Sequence, residues 1–188
     1  MRPNFYDIAY LQQGTVRQQE AYHALTTLGI LERLAKYNPV LVGTIPIAID
    51  IESSDLDIIC YAPDLARFEA DVHQYFQHYA QFTLKRGTQA DQAYIVANFY
   101  ANGFEFELFA QNKVTEDQNA YRHMLIEYRL LELSDDHARE AIIQLKQQGL
   151  KTEPAFAQYF ALSGNNPYDD LLKLYAYETD ELRKIIHS

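Results

Sequence analysis

Apolar and polar residues alternate from Phe104 to Leu108 in Phe104-Glu105-Phe106-Glu107-Leu108-Phe109. In a strand this puts Phe104, Phe106 and Leu108 on one face and Glu105 and Glu107 on the other. Short apolar runs predict further strands at 40–42, 55–61, 82–85 and 93–100, and Ala101-Asn102-Gly103 reads as the hairpin turn before the alternating strand. Elsewhere the apolar period is helical. Tyr22, Leu25, Leu28, Leu31 and Leu34 predict a helix capped by Thr15, running to about Lys36 and ended by Asn38-Pro39. Ile45 to Ile49, interrupted by Pro46, predicts a short, partly buried turn of helix. Leu65, Phe68, Val72 and Phe76 predict a helix from Pro63-Asp64 to about His78. From Thr115 onwards helices dominate: Glu116 to Leu133, Asp135 to Gln148 capped by Ser134, one starting at Thr152-Glu153-Pro154, and Tyr168 to His187.

This distribution defines an α+β class: a mixed sheet flanked by helices, with a helical C-terminal region. The domain expectation is 1–114 for the α+β part and 115–188 for the helical part packed on it.

Composition narrows the function classes. The net charge is −10 at neutral pH, from 16 Lys and Arg against 26 Asp and Glu. A polyanionic partner such as nucleic acid is disfavoured, because phosphate contacts need clustered cations. A small nucleotide carried with a metal ion is not excluded, and a cationic small molecule is favoured by the field. The single cysteine, Cys60, lies in an apolar strand and reads as core. It allows no intrachain disulfide, which fits a reducing, cytoplasmic setting. The first residues show no apolar signal-peptide core, and no run is long enough to span a bilayer. Fifteen tyrosines suggest half-buried helix faces able to form an interface, a homodimer included.

The chemistry concentrates in two places. Val42-Gly43-Thr44 precedes Ser54-Asp55-Leu56-Asp57-Ile58, where Asp55 and Asp57 project from one strand face, their Cβ atoms roughly 6 to 7 Å apart. Paired acids beside a core repel each other unless a cation separates them or one is protonated. Oxygen donors of this kind suit Mg²⁺. An apolar residue, Gly and a hydroxyl residue, a spacer of about ten residues, then Asp-apolar-Asp-apolar resembles the signature of the DNA polymerase beta-like nucleotidyltransferase superfamily.

That resemblance implies a third acid on a later strand, matched by Glu107 after Gly103, with Glu105 as the fallback. It implies two Mg²⁺ ions held by Asp55, Asp57 and Glu107, with nucleotide phosphates contacted by Gly43, Thr44 and Ser54. Lys85, at a strand end, is the candidate cation for phosphate. The implied reaction moves NMP from an NTP such as ATP to an acceptor hydroxyl with loss of pyrophosphate. The resemblance names no acceptor: the negative field points to a small cationic molecule, a protein side chain and an RNA end stay open, and the charge disfavours RNA.

More broadly, Glu105 to Gln111, Gln118 to Met124 and Gly149 to Phe156 resemble a bacterial family of uncharacterised nucleotidyltransferase-like proteins. Thr44 stands where the superfamily has Gly or Ser. The spacer carries Ile47, Ala48 and Ile49 where active small-molecule transferases have Gly and a basic residue. This departure motivates the alternative of a catalytically weakened nucleotide-binding or regulatory module, and a third reading is a component of a partner complex. Arg122, His123 and Arg129 are candidates to face the cleft, against the duller account of a surface salt bridge from Arg129 to Glu127 or Glu132.

Overall fold

The computed structural model describes residues 3–186. Thr15 opens helix α1 (Val16–Leu28) with a capping box: its hydroxyl accepts from the Gln18 N–H, and the Gln18 side chain accepts from the Thr15 N–H. The helix expected to continue to Lys36 stops at Gly29, whose left-handed backbone (φ +58°) redirects the chain. A single turn, α2 (Ile30–Arg33), and a 3₁₀ turn at Ala35–Tyr37 follow.

Five strands form one sheet: β1 (Val40–Val42), β2 (Leu56–Tyr61), β3 (Ala80–Gln89), β4 (Gln92–Ala101) and β5 (Phe104–Gln111), in the order β1-β2-β5-β4-β3. Only the β2–β5 pair is parallel; the other three are antiparallel. Parallel neighbours need a crossover. Here it consists of helix α3 (Leu65–Phe76), capped by Asp64, and the β3–β4 hairpin.

Strand β3 is longer than the expected 82–85 because the turn at its end is cryptic. Ala90 and Asp91, with φ of +47° and +61°, make a two-residue hairpin without the Asn-Gly signature. Asn102-Gly103 makes the second hairpin, as its sequence predicts.

One face of the sheet carries the core. Leu56, Ile58 and Cys60 of β2, Phe104, Phe106, Leu108 and Ala110 of β5, and Ile95, Ala97 and Phe99 of β4 are buried in one cluster. Ala21, Ala24, Leu25 and Leu28 of α1 and Phe68, Val72 and Phe76 of α3 complete it. Near-parallel rings tie α3 to the sheet: Phe76 lies 5.2 Å from Phe99, and Phe99 lies 4.9 Å from Phe106.

The described residues divide into two compact units. The first joins the chain up to Ala48 with Ser54–Gln118; the second joins Ile49–Ser53 with the chain from Asn119 onwards. The second unit contains α4 (Asn119–Leu133), α5 (Asp136–Gln147), α6 (Thr152–Tyr159), α7 (Pro167–Leu174) and α8 (Thr179–Ile186). Its buried residues include Met124, Leu130, Ile142, Phe156, Leu171 and Leu182.

Two sequence expectations change here. Asp135, not Ser134, caps α5, because the Ser134 hydroxyl donates back to the Leu130 carbonyl. The last expected helix is broken into α7 and α8; the Glu178 N–H donates to the Glu181 carboxylate and starts the second piece. His187, where the expected helix ended, lies outside the described residues. Among the described residues, no helix is long and apolar enough to cross a membrane.

Candidate active site

The acids lie on the sheet face opposite the core. Asp57 pairs with Glu107 across the parallel β2–β5 ladder, so the two side chains stand side by side on one face. Asn98 of β4 is the next residue in the same row, and its amide donates to Glu107 Oε2 at 3.4 Å. Asp55 immediately precedes β2, two residues from Asp57, and its charge reaches Glu107. Burial is the main cause that raises the Glu107 pKa above its ordinary value; the Asn98 amide opposes it, and the charges of Asp55 and Glu105 add to it. Glu105, the fallback, pairs with Tyr100 and is exposed, whereas Glu107 is half-buried.

The loop between β1 and β2 presses its backbone against these acids. Gly43 adopts φ +86°, and a Cβ built on it would lie 2.5 Å from Asp57 Oδ2. Only glycine meets both demands, a positive φ and the absence of a side chain at the carboxylate. The Thr44 hydroxyl donates to the Ser54 hydroxyl at 3.1 Å, closing the two ends of the loop.

Between them, Ile45 to Ala48 is a single hydrogen-bonded turn, closed by the Ala48 N–H donating to the Ile45 carbonyl at 3.1 Å and ended by Ala48 at φ +56°. Gln18 braces it: its buried amide donates to the carbonyls of Ile45 (2.8 Å) and Pro46 (3.2 Å), while Ile45, Ile47 and Ile49 are buried.

Gly43, Thr44, Ser54, Asp55, Asp57 and Glu107 are thus gathered at the start of β2, beside the middle of β5. Lys85 is not with them. It is an exposed residue of the outermost strand β3, paired with Val96, with β4 and β5 between it and β2. At about 4.8 Å per strand its backbone stands about 14 Å from that of β2. Cys60 is fully buried and burial pushes its thiol pKa up, as befits core.

The donor set is all carboxylate oxygen, which in kind fits Mg²⁺. Among the described residues, no three His, Cys, Asp or Glu side chains form a ready-made metal cage. Mg²⁺ commonly takes one or two carboxylates and completes its shell with water and substrate phosphate. The Asp57–Glu107 pair, with Asp55 beside it, suits that mode.

In the helical unit, the candidate cations turn inward. Arg129 donates to the carbonyls of Tyr175 (3.1 Å) and Tyr177 rather than pairing with Glu127 or Glu132. Arg122 lies over the Tyr175 ring at 5.5 Å. His123 meets the Tyr168 carbonyl through Nε2 at 3.0 Å and Glu153 through Nδ1 at 3.4 Å. Sequence reasoning missed three polar residues. Asn98 interrupts an apolar strand, Glu127 sits on the inner face of α4 one turn after His123, and Lys146 extends the buried stripe Ala138, Ile142 by four residues.

The five-stranded mixed sheet flanked by helices is the architecture the chain shares with nucleotidyltransferase-like solved structures. The chain belongs to the family DUF4269, a domain of unknown function, which it matches over residues 23–174. No curated protein sequence matches it significantly.

Among solved structures, the GLD-2/RNP-8 complex is similar at a TM-score of 0.55 and 12% identity, over 95% of this chain and 80% of that one. A mutant of the Cid1 poly(U) polymerase bound to MgATP is similar at a TM-score of 0.53 and 14% identity, over 81% of this chain and 53% of that one. Cid1 in complex with the UTP analogue UMPNPP gives 0.53 and 15%, over 81% and 52%. The chain spans 40% and 46% of the length of two further Cid1 structures. At such identities the likeness is one of fold.

Proposed function

We propose that this protein is a Mg²⁺-dependent nucleotidyltransferase that moves NMP from an NTP to the hydroxyl of a small cationic acceptor. The 1–114 region would carry the site and 115–188 the helical accompaniment. The observation that carries the reading is the register pairing of Asp57 with Glu107, with Gly43 backbone packed on Asp57. Fold neighbours bound to MgATP and to a UTP analogue support it.

Asp55, Asp57 and Glu107 would hold the metal. When bound with nucleotide, Mg²⁺ supplies positive charge to the phosphates and lowers the pKa of the acceptor hydroxyl. Gly43 offers its backbone, and Thr44 and Ser54 their hydroxyls, to the phosphates. Glu107 takes the hydroxyl proton as the acceptor oxygen bonds to the α-phosphorus. The bond from that phosphorus to the bridging oxygen breaks, and pyrophosphate leaves. The net charge of −10 favours a cationic acceptor over the RNA named for one of the fold neighbours.

Purified protein incubated with Mg²⁺, labelled NTPs and an acceptor panel should release pyrophosphate, and Asp55→Ala with Asp57→Ala should abolish the release. Release that survives the double substitution would overturn the site assignment.

A second reading, a nucleotide-binding or regulatory module without turnover, is favoured by the distance of Lys85 and by the buried, cation-free spacer at Ile47 to Ile49. Calorimetric binding of an NTP with Mg²⁺, and no pyrophosphate with any acceptor, would select it.

A further inference from the structure

Four titratable groups lie inside the helical unit. Glu127 of α4 and Lys146 of α5 are buried, at 3% and 6% exposure; His123, one turn before Glu127 on α4, is also buried, and Glu153 of α6 bonds to it. Burial, then the charge of Glu153, raises the Glu127 pKa to about 8, and Lys146 opposes that rise.

A buried lysine is expensive, and an apolar residue of its size would pack at lower cost. What Lys146 gains is specific. Its Nζ donates to the carbonyl of Ile49 at 2.7 Å, a residue 97 positions earlier. Ile49 begins the segment Ile49–Ser53, which belongs to the helical unit although the residues on both sides of it belong to the sheet unit. The next residues are Ser54 and Asp55.

We infer that Lys146 is a positioning residue for the acidic site: by fixing Ile49 it sets the path of the segment that delivers Ser54 and Asp55. The inference rests on the proposed reading of that site for its functional consequence, but not for its structural half. It makes the loop joining Gly43-Thr44 to Asp55-Leu56-Asp57 a responsive element.

The test uses the full chain with Lys146→Met, and with Lys146→Met combined with Glu127→Gln so that no buried acid is left to charge. Glu127→Gln alone is the control, since it leaves the Lys146–Ile49 bond in place. Loss of one charged hydrogen bond should speed hydrogen exchange in peptides covering residues 47–55 by about tenfold or more. Peptides from β5 should be unaffected. Calorimetry with ATP or UTP and Mg²⁺ should show weakened binding in both Lys146 variants and unchanged binding in Glu127→Gln.

Unchanged exchange at 47–55, or faster exchange spread evenly over α4 to α8, would overturn the positioning role. If wild-type protein binds neither nucleotide, the transferase reading fails while the exchange result still decides whether Lys146 holds the segment.

Discussion

Replacing Gly43 by alanine separates two physical effects that the structure superimposes. At φ +86° an L-residue is strained, by about 1–2 kcal/mol. The added Cβ would also fall 2.5 Å from Asp57 Oδ2, and such overpacking costs about 1–3 kcal/mol. The lower entropy of the unfolded alanine chain returns about 0.4–1 kcal/mol. The net expectation is a loss of about 1–5 kcal/mol, equivalent for a chain of this size to a drop in Tm of about 2–18 °C.

Gly103 supplies the control. It has φ +82°, yet a Cβ there meets nothing within 4 Å. Gly103→Ala should therefore show the backbone strain without the clash, less the same entropic return: about 0–2 kcal/mol, a drop of about 0–6 °C. Thermal unfolding followed by circular dichroism measures both. In an Asp57→Ala background the penalty of Gly43→Ala should shrink to that of Gly103→Ala, because the atom it strikes is gone. Equal Tm values for Gly43→Ala and Gly103→Ala in the otherwise wild-type chain would refute the close approach of loop backbone to carboxylate.

Glu127 makes stability depend on pH. Its folded pKa of about 8 lies above the ordinary value of 4.5, so the folded state binds the extra proton between those values. Stability is then highest at low pH within that window and falls as pH rises towards 8. Glu127→Gln, facing the same Glu153, Lys146 and His123, should flatten the Tm-versus-pH curve, and an unflattened curve would count against a protonated Glu127. Thr15→Ala removes the capping box of α1 and should cost about 1 kcal/mol in denaturant unfolding. Phe99→Ala breaks both ring stacks between α3 and β5 and should cost about 3–5 kcal/mol; a loss under about 1 kcal/mol would contradict the packing described.

The sheet was legible where a strand has one buried face. Phe104 to Phe109 alternates, so both its extent and the side carrying Glu107 could be read. Strand β3 exposes nearly every other residue and gave only its apolar segment. Its turn, Ala90-Asp91, offers one turn-forming residue, Asp91, but puts Ala90 at positive φ, where a sequence signal would be Asn or Gly. Apolar spacing that continues across both masked the helix breaks at Gly29 and after Leu174: the first follows from the left-handed backbone of Gly29, and at the second Arg129 takes the carbonyls of Tyr175 and Tyr177.

In the site, local spacing placed Asp55, Asp57, Gly43 and Thr44, because they share a few residues of chain. The partnership of Asp57 with Glu107 rests on strand order, which spacing does not encode. Lys85 shows the converse error: a cation at a strand end looked near the phosphates only while its strand had no position in the sheet. Lys146 and Glu127 were hidden because helical periodicity reads a polar residue on a buried stripe as noise.

The parallel pairing of β2 with β5 also has a consequence in time. As the chain leaves the ribosome, Asp55 and Asp57 emerge long before Glu107, and the intervening helix and hairpin must take shape before the acids can become neighbours. Assembly of the carboxylate row is therefore a late, long-range loop closure. A nascent or prematurely ended chain would carry two of the three acids and no place for them to meet the third.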